Sequence, residues 1–170
     1  DNEHAYSIAV LPDGSFYLGG QSAGGGGGTR TAQGYGSWDL WLVKCDSEGR
    51  QIWDRTLGGS REDYGWGGVS LTEDGGVVIA GTTPSDRGTG NLGQDAYGDW
   101  DGLVARYSPE GELLWQRRIG GAGTDHIWGM KVRNGQIWTI GQTRSGVEGT
   151  RVAPGLGNWD YWLTQLSISD

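Results

Sequence analysis

Short apolar runs separated by paired turn residues recur along the chain. No segment keeps an apolar i, i+3, i+4, i+7 spacing over three turns without a glycine interrupting it, so helices are not expected. The first runs are Ser7 to Leu11, Ser15 to Leu18, Leu40 to Cys45 and Gln51 to Leu57. Each is bounded by Asp-Gly, Glu-Gly or Gly-Gly, residues that accept positive φ and close tight hairpins. The pattern predicts four strands per unit and about eleven strands in all.

The unit itself repeats. Asp63 opens Asp-Tyr-Gly-Trp and Asp125, 62 residues later, opens Asp-His-Ile-Trp, with Glu3-His4-Ala5-Tyr6 as a looser first copy. Turn pairs follow in register: Asp13-Gly14, Asp74-Gly75 and Asn134-Gly135 each stand seven residues before a glycine, at Gly20, Gly81 and Gly141. Each copy then passes through a long Gly-rich loop into Trp-Asp, at Trp38-Asp39, Trp100-Asp101 and Trp159-Asp160. Two copies continue through Glu-Gly, Trp and Gly-Gly; the third stops before that segment. The chain therefore reads as one domain of three all-β repeats of about 60 residues, at 1–59, 60–121 and 122–170.

Four-stranded units in tandem protect their sheet edges as the blades of a β-propeller, which is the expected architecture, with the third blade incomplete. A three-fold β-prism or trefoil-like closure is the alternative. Three blades do not close a ring, so the expectation is self-association into a six-bladed propeller or membership of a longer chain.

Several stretches carry a resemblance. Gly58-Gly59-Ser60-Arg61-Glu62-Asp63, Asp74-Gly75-Gly76, Gly81-Thr82-Thr83, Trp100-Asp101 and Pro109-Glu110-Gly111-Glu112-Leu113-Leu114-Trp115 resemble the bacterial seven-bladed β-propeller repeat, SBBP. The resemblance covers nearly the whole chain. It implies a secreted, cell-surface or envelope protein of bacteria and a non-catalytic binding or spacer module, and it brings no catalytic residues to transfer.

Composition narrows the partners. A net charge of −8 opposes binding to nucleic acid or anionic membranes. No stretch of 18 apolar residues exists for membrane insertion. The single cysteine, Cys45, excludes an intrachain disulfide framework and is expected to pack as a small hydrophobe. Asp1 in place of an initiator Met predicts a processed or trimmed chain.

Candidate chemistry lies in the loops. The segments from Gly28 to Asp39 and from Gly149 to Asp160 agree at eight of twelve positions, including Arg30 with Arg151 and Trp38 with Trp159. A guanidinium beside an aromatic face and a carboxylate suits a sugar, which offers C–H faces and edge hydroxyls. The ligand-binding candidates are therefore Arg30, Tyr35, Trp38, Asp39, Trp100, Asp101, Arg151, Trp159 and Asp160. In the structural alternative each tryptophan wedges between units and each following aspartate accepts loop amides. The middle copy has Asn91 at the place assigned to the arginine, so a requirement shared by all units does not account for the arginine.

The middle loop also holds Asp86, Asn91, Asp95 and Asp99, an oxygen-rich set that calcium could use, although the spacing fits no EF-hand. His4 and His126 occupy similar places and are expected to be unit-joining hydrogen-bond groups rather than general bases. The run Gly24 to Gly28 lacks the strand-then-helix context of a phosphate cradle and is expected to be loop. No nucleophile elbow or paired metal motif is present. The function expected is recognition of a glycan (lectin-like) or protein surface without catalysis or a cofactor. Purely structural assembly through open edges is the alternative, and a glycan-active enzyme the third reading.

Overall fold

A computed structural model describes residues 2–24 and 28–169; the glycines at 25–27 of the expected loop run lie outside the described residues. The described chain is all-β, with eleven strands in three antiparallel sheets. Sheet I comprises β1 (Glu3–Val10), β2 (Phe16–Ser22), β3 (Asp39–Cys45) and β4 (Gln51–Leu57). Sheet II comprises β5 (Tyr64–Leu71), β6 (Val77–Thr83), β7 (Asp101–Tyr107) and β8 (Leu113–Ile119). Sheet III has β9 (Asp125–Arg133), β10 (Gln136–Thr143) and β11 (Asp160–Ser167), paired in the order β11-β10-β9. Each sheet is a simple meander, and none closes into a barrel.

Turn chemistry explains the meanders. Asn134 and Gly135 both take positive φ, 51° and 69°, and join β9 to β10 with only those two residues between the paired Arg133 and Gln136. The first strand of each sheet starts earlier than its apolar run suggests. In sheet I it reaches back to Glu3, because the marker Glu3-His4-Ala5-Tyr6 is itself strand.

One backbone approach recurs in all three sheets. A Cβ on Gly20, Gly81 or Gly141 would lie 1.8, 2.2 or 1.7 Å from the carbonyl oxygen of His4, Tyr64 or His126. Only glycine admits that approach. Beside it the first strand bulges: the register skips Tyr6 in β1 and Trp128 in β9, and jumps from Tyr64 to Gly68 in β5. Bulges bend a strand and re-aim its side chains.

The sheets stack face to face, with their first strands adjacent. Alternation places Tyr17, Leu40, Leu42 and Leu57 on one side of sheet I, against Val77, Ile79, Leu103 and Tyr107 of sheet II. The opposite side of sheet II, Val78, Ala80, Val104 and Ile119, packs on Ile127, Ile137 and Trp162 of sheet III. Each fully buried aliphatic side chain contributes about 1.5–3 kcal/mol. Two indoles tie the junctions at their rims: Trp53 Nε1 donates to Pro109 O and Trp115 Nε1 to Ile168 O, both at 3.1 Å. Cys45 is a buried free thiol, as its apolar run predicts.

Gly81→Ala should cost about 1–3 kcal/mol in urea unfolding, the usual penalty of overpacking. Gly157→Ala, where a Cβ meets nothing within 4 Å, should stay within about 0.5 kcal/mol. Equal effects at the two sites would contradict the close-approach account.

Candidate functional site

Each long loop ends in Trp-Asp, and the aspartate turns inward. Asp39 Oδ2 accepts the amide of Tyr35 at 2.9 Å, Asp101 Oδ2 that of Tyr97 at 2.9 Å and Asp160 Oδ2 that of Leu156 at 3.0 Å. The amide-accepting role expected for these carboxylates is therefore observed in every sheet. A guanidinium meets the same oxygen in each: Arg30 at 3.5 Å from Asp39, Arg118 at 3.2 Å from Asp101 and Arg151 at 3.1 Å from Asp160.

Arg30 and Arg151 are buried, and their terminal guanidinium nitrogens bond within the fold, while Arg30 Nε is buried without a partner. Arg30 reaches Ser22 Oγ, Gly24 O and Thr56 Oγ1 at 2.9, 2.6 and 3.0 Å. Arg151 reaches Thr143 Oγ1 at 2.9 Å, Pro154 O at 3.2 Å and the carbonyl of Ser145. They present no fork to a ligand. A ligand-binding arginine is expected at the surface; both side chains are instead internal. Partial exposure falls to the tryptophans: Trp38 and Trp100 are half-buried and Trp159 is 40% exposed.

The middle unit corrects the register as well. Asn91 donates its backbone N–H to Gly58 O and accepts the Gly58 N–H through Oδ1, at 3.1 and 3.0 Å. Thr150 does the same with Gly120, both at 2.8 Å. Asn91 is thus the counterpart of Thr150, and the counterpart of Arg151 is Leu92, which is buried in the core. The guanidinium of sheet II comes from the other side, from Arg118 on β8, where sheet I has Thr56. A requirement common to all three units therefore does account for the arginine.

Two carboxylates face one another across each junction. A Cβ on Gly58 would lie 2.3 Å from Asp39 Oδ1 and 2.8 Å from Asp63 Oδ2; on Gly120 it would lie 2.5 Å from Asp101 Oδ1 and 2.9 Å from Asp125 Oδ2. All four aspartates are fully buried. Asp63 and Asp125 join the units, each accepting a glycine amide at 2.7 Å and the hydroxyl of Ser85 or Ser145. Burial pushes the Asp101 carboxyl up to about 6, with the charge of Asp125 adding to it. Asp39 and Asp63 are raised too, chiefly by burial.

With the aspartates inside, the loop tryptophans lie on the surface against the first strands. His4 sits 5.1 Å from Trp38, Tyr64 stacks on Trp100 at 5.5 Å and 4°, and His126 stacks on Trp159 at 5.8 Å and 20°. The bulged strands add Tyr6, Trp66 and Trp128, and Trp66 stacks on Trp128 across the junction at 4.9 Å. Arg144 lies 4.4 Å over the Trp159 ring. Neither histidine joins units by a hydrogen bond: His4 lies tilted against Trp38 and shares a hydrogen bond with the Tyr6 hydroxyl of its own strand at 3.1 Å, while His126 Nδ1 is buried without a hydrogen-bond partner and burial lowers its pKa. Of the rings on this face, only the loop tryptophans are among the ligand-binding candidates read from sequence. The signal for the rest is the aromatic pair two residues apart in each Asp-x-x-Trp marker, a spacing that puts both rings on one strand face.

Two clefts border the face. One, of about 500 Å³, is lined by Arg61, Glu62, Pro84, Asp99, Trp100 and Thr124. The other holds Trp128, Gln142, Trp159, Asp160 and Tyr161. The oxygen-rich middle loop is drawn apart. Asp86 pairs with Arg61 at 3.9 Å, Asp95 with Arg87 at 3.4 Å, Asn91 ties the backbone, and Asp99 borders the Trp100 cleft. Among the described residues no three His, Cys, Asp or Glu side chains group so as to hold a metal ion. Compared with known proteins, the chain matches no family model and no curated protein.

Arg118→Thr should cost about 3–5 kcal/mol by leaving Asp101 buried and unpaired. Adding Leu92→Arg should recover part of that loss by recreating the arrangement of Arg30 and Thr56; a double variant no more stable than the single would contradict the exchange. Asp101 binds its proton more tightly folded than unfolded, so its contribution is greatest below 3.8 and is lost as pH rises through about 6. His126, lowered by burial, acts in the opposite sense and loses stability as pH falls through 6.5. The melting temperature of the wild type relative to Asp101→Asn should therefore rise by a few degrees from pH 7.5 to pH 5. Parallel profiles would refute the buried-carboxylate account.

Proposed function

We propose that the three sheets are blades of a β-propeller and that the chain is a non-catalytic recognition module that binds a saccharide on its aromatic face. The cleft beside Trp100 carries the reading. An indole offers an apolar surface to the C–H face of a sugar ring, while Arg61, Glu62, Asp99 and Thr124 line the same cleft with donors and acceptors for its hydroxyls. Tyr64 donates its hydroxyl to Glu62 at 2.6 Å and so orients one of those acceptors.

Repetition supports the reading further. Every sheet holds one loop tryptophan against a first-strand ring, so a branched or repeating glycan meets the same chemistry more than once, and linked sites gain avidity. The facing carboxylates are enclosed in the junctions rather than at the clefts, which suits binding without turnover. The resemblance to the SBBP repeat supports both the propeller and a place outside the cell or in the envelope of a bacterium.

A glycan array followed by fluorescence titration with the retained saccharide tests this. Trp100→Ala should weaken binding by about tenfold, the worth of one aromatic platform of about 1.4 kcal/mol. Its cost in stability should fall below the 3–5 kcal/mol of a fully buried aromatic, at about 1–2 kcal/mol. No retention on any saccharide, or undiminished binding by the variant, would overturn the assignment.

A further inference from the structure

The two internal junctions define a rule: one face of each sheet packs on the opposite face of the next. Two such faces remain open. On sheet III, Trp138, Ile140, Tyr161 and Leu163 are exposed, Tyr161 completely and Leu163 at 63%. Strand pairing makes them the counterparts of Tyr17, Gly19, Leu40 and Leu42, the face by which sheet I covers sheet II. On sheet I, Ile8 and Val10 are exposed at 57% and 56%. With Leu18, Trp41 and Val43 they are the counterparts of Val69, Leu71, Ile79, Leu103 and Ala105, the face by which sheet II receives sheet I.

We infer that a second copy of this chain covers both faces, head to tail: sheet III of each copy packs on sheet I of the other, closing a two-copy ring. The faces are the two different halves of one junction, so each complements the other and neither complements itself. A second copy supplies both halves at once. Continuity with the internal junctions extends to their polar rim. Asp160 stands where Asp39 and Asp101 do, and Glu3, paired with Ser22 as Asp125 is with Thr143, holds the place of the joining aspartates. A hollow lined by Leu18, Gly20, Trp41 and Val43 lies open on sheet I; its Gly20 corresponds to Gly81, the residue against which Leu40 packs. In the ring, Tyr161 takes the place of Leu40 against it. Apolar faces of this extent are unusual on the surface of a monomer.

Only the ring geometry rests on the propeller reading, and light scattering without saccharide reads the pairing separately from ligand binding. The wild type should run at twice the 18.2 kDa of one chain. Ile8→Asp/Val10→Asp and Ile140→Asp/Leu163→Asp, both at exposed positions and checked for fold by circular dichroism, should each fall to the mass of one chain. Mixing the two variants leaves one junction intact, and the mixture should be heavier than either variant alone. A monomeric wild type, a dimer that survives the sheet I substitutions, a series of growing masses, or no recovery on mixing would overturn the inference.

Discussion

An aspartate that binds both a loop amide and a guanidinium organises this chain, fully buried at Asp39 and Asp101 and partly exposed at Asp160. Asp39, Asp101 and Asp160 each end a long loop and begin a strand, so the loop amide, the guanidinium and the sheet all converge on one side chain. A carboxylate taken from water costs several kcal/mol unless its charge and lone pairs are met. In Asp39 and Asp101 the loop amide and the guanidinium meet one oxygen, Oδ2, while Oδ1 stays buried without a hydrogen-bond partner; anchoring that one oxygen fixes the loop and sets the preceding tryptophan toward the surface. Strand alternation does the rest: with the aspartate turned inward, its neighbour points outward against the first-strand ring.

What the site demands is a charge at a place, not a residue at a position. Sheets I and III bring the guanidinium from the loop, through Arg30 and Arg151, whereas sheet II brings it from β8 through Arg118 and fills the vacated loop position with Leu92. The exchange also explains Thr56, whose hydroxyl accepts from Arg30 where sheet II needs the whole arginine. Across each junction a second aspartate from the next sheet comes beside the first, and the guanidinium pairs with the first alone. Burial raises Asp101 and Asp63 in consequence.

The repeat, the strand count and the inward role of the Trp-Asp aspartates were legible in the sequence, because turn pairs and alternation are local signals. The burial of Arg30 and Arg151 was not. An arginine in a polar, Gly-rich loop looks solvated until the carboxylate, hydroxyl and carbonyl that enclose it are assembled from residues as distant as Thr56. The counterpart of Arg151 was missed by one position for the same kind of reason: the middle loop is a residue longer, and only the shared hydrogen bonds of Asn91 and Thr150 set the register. The histidines misled because two of three units carry them; Tyr64 in the third shows that the position requires a ring, not an imidazole.

The same alternation gives the chain two kinds of surface. Along the first strands, rings two residues apart share one side beside the bulges, and the strip is continuous where Trp66 meets Trp128. Across the sheets, unbulged strands carry apolar residues on both faces, as a unit must when it has a neighbour on either side. Val78 and Ile79 of β6 are both buried, one in each core. Sheets I and III carry the same two-sided pattern with one neighbour each. Their open faces and the aromatic strip therefore answer to different constraints: the strip to whatever stacks on exposed rings, the faces to the shape of the junctions already made inside the chain.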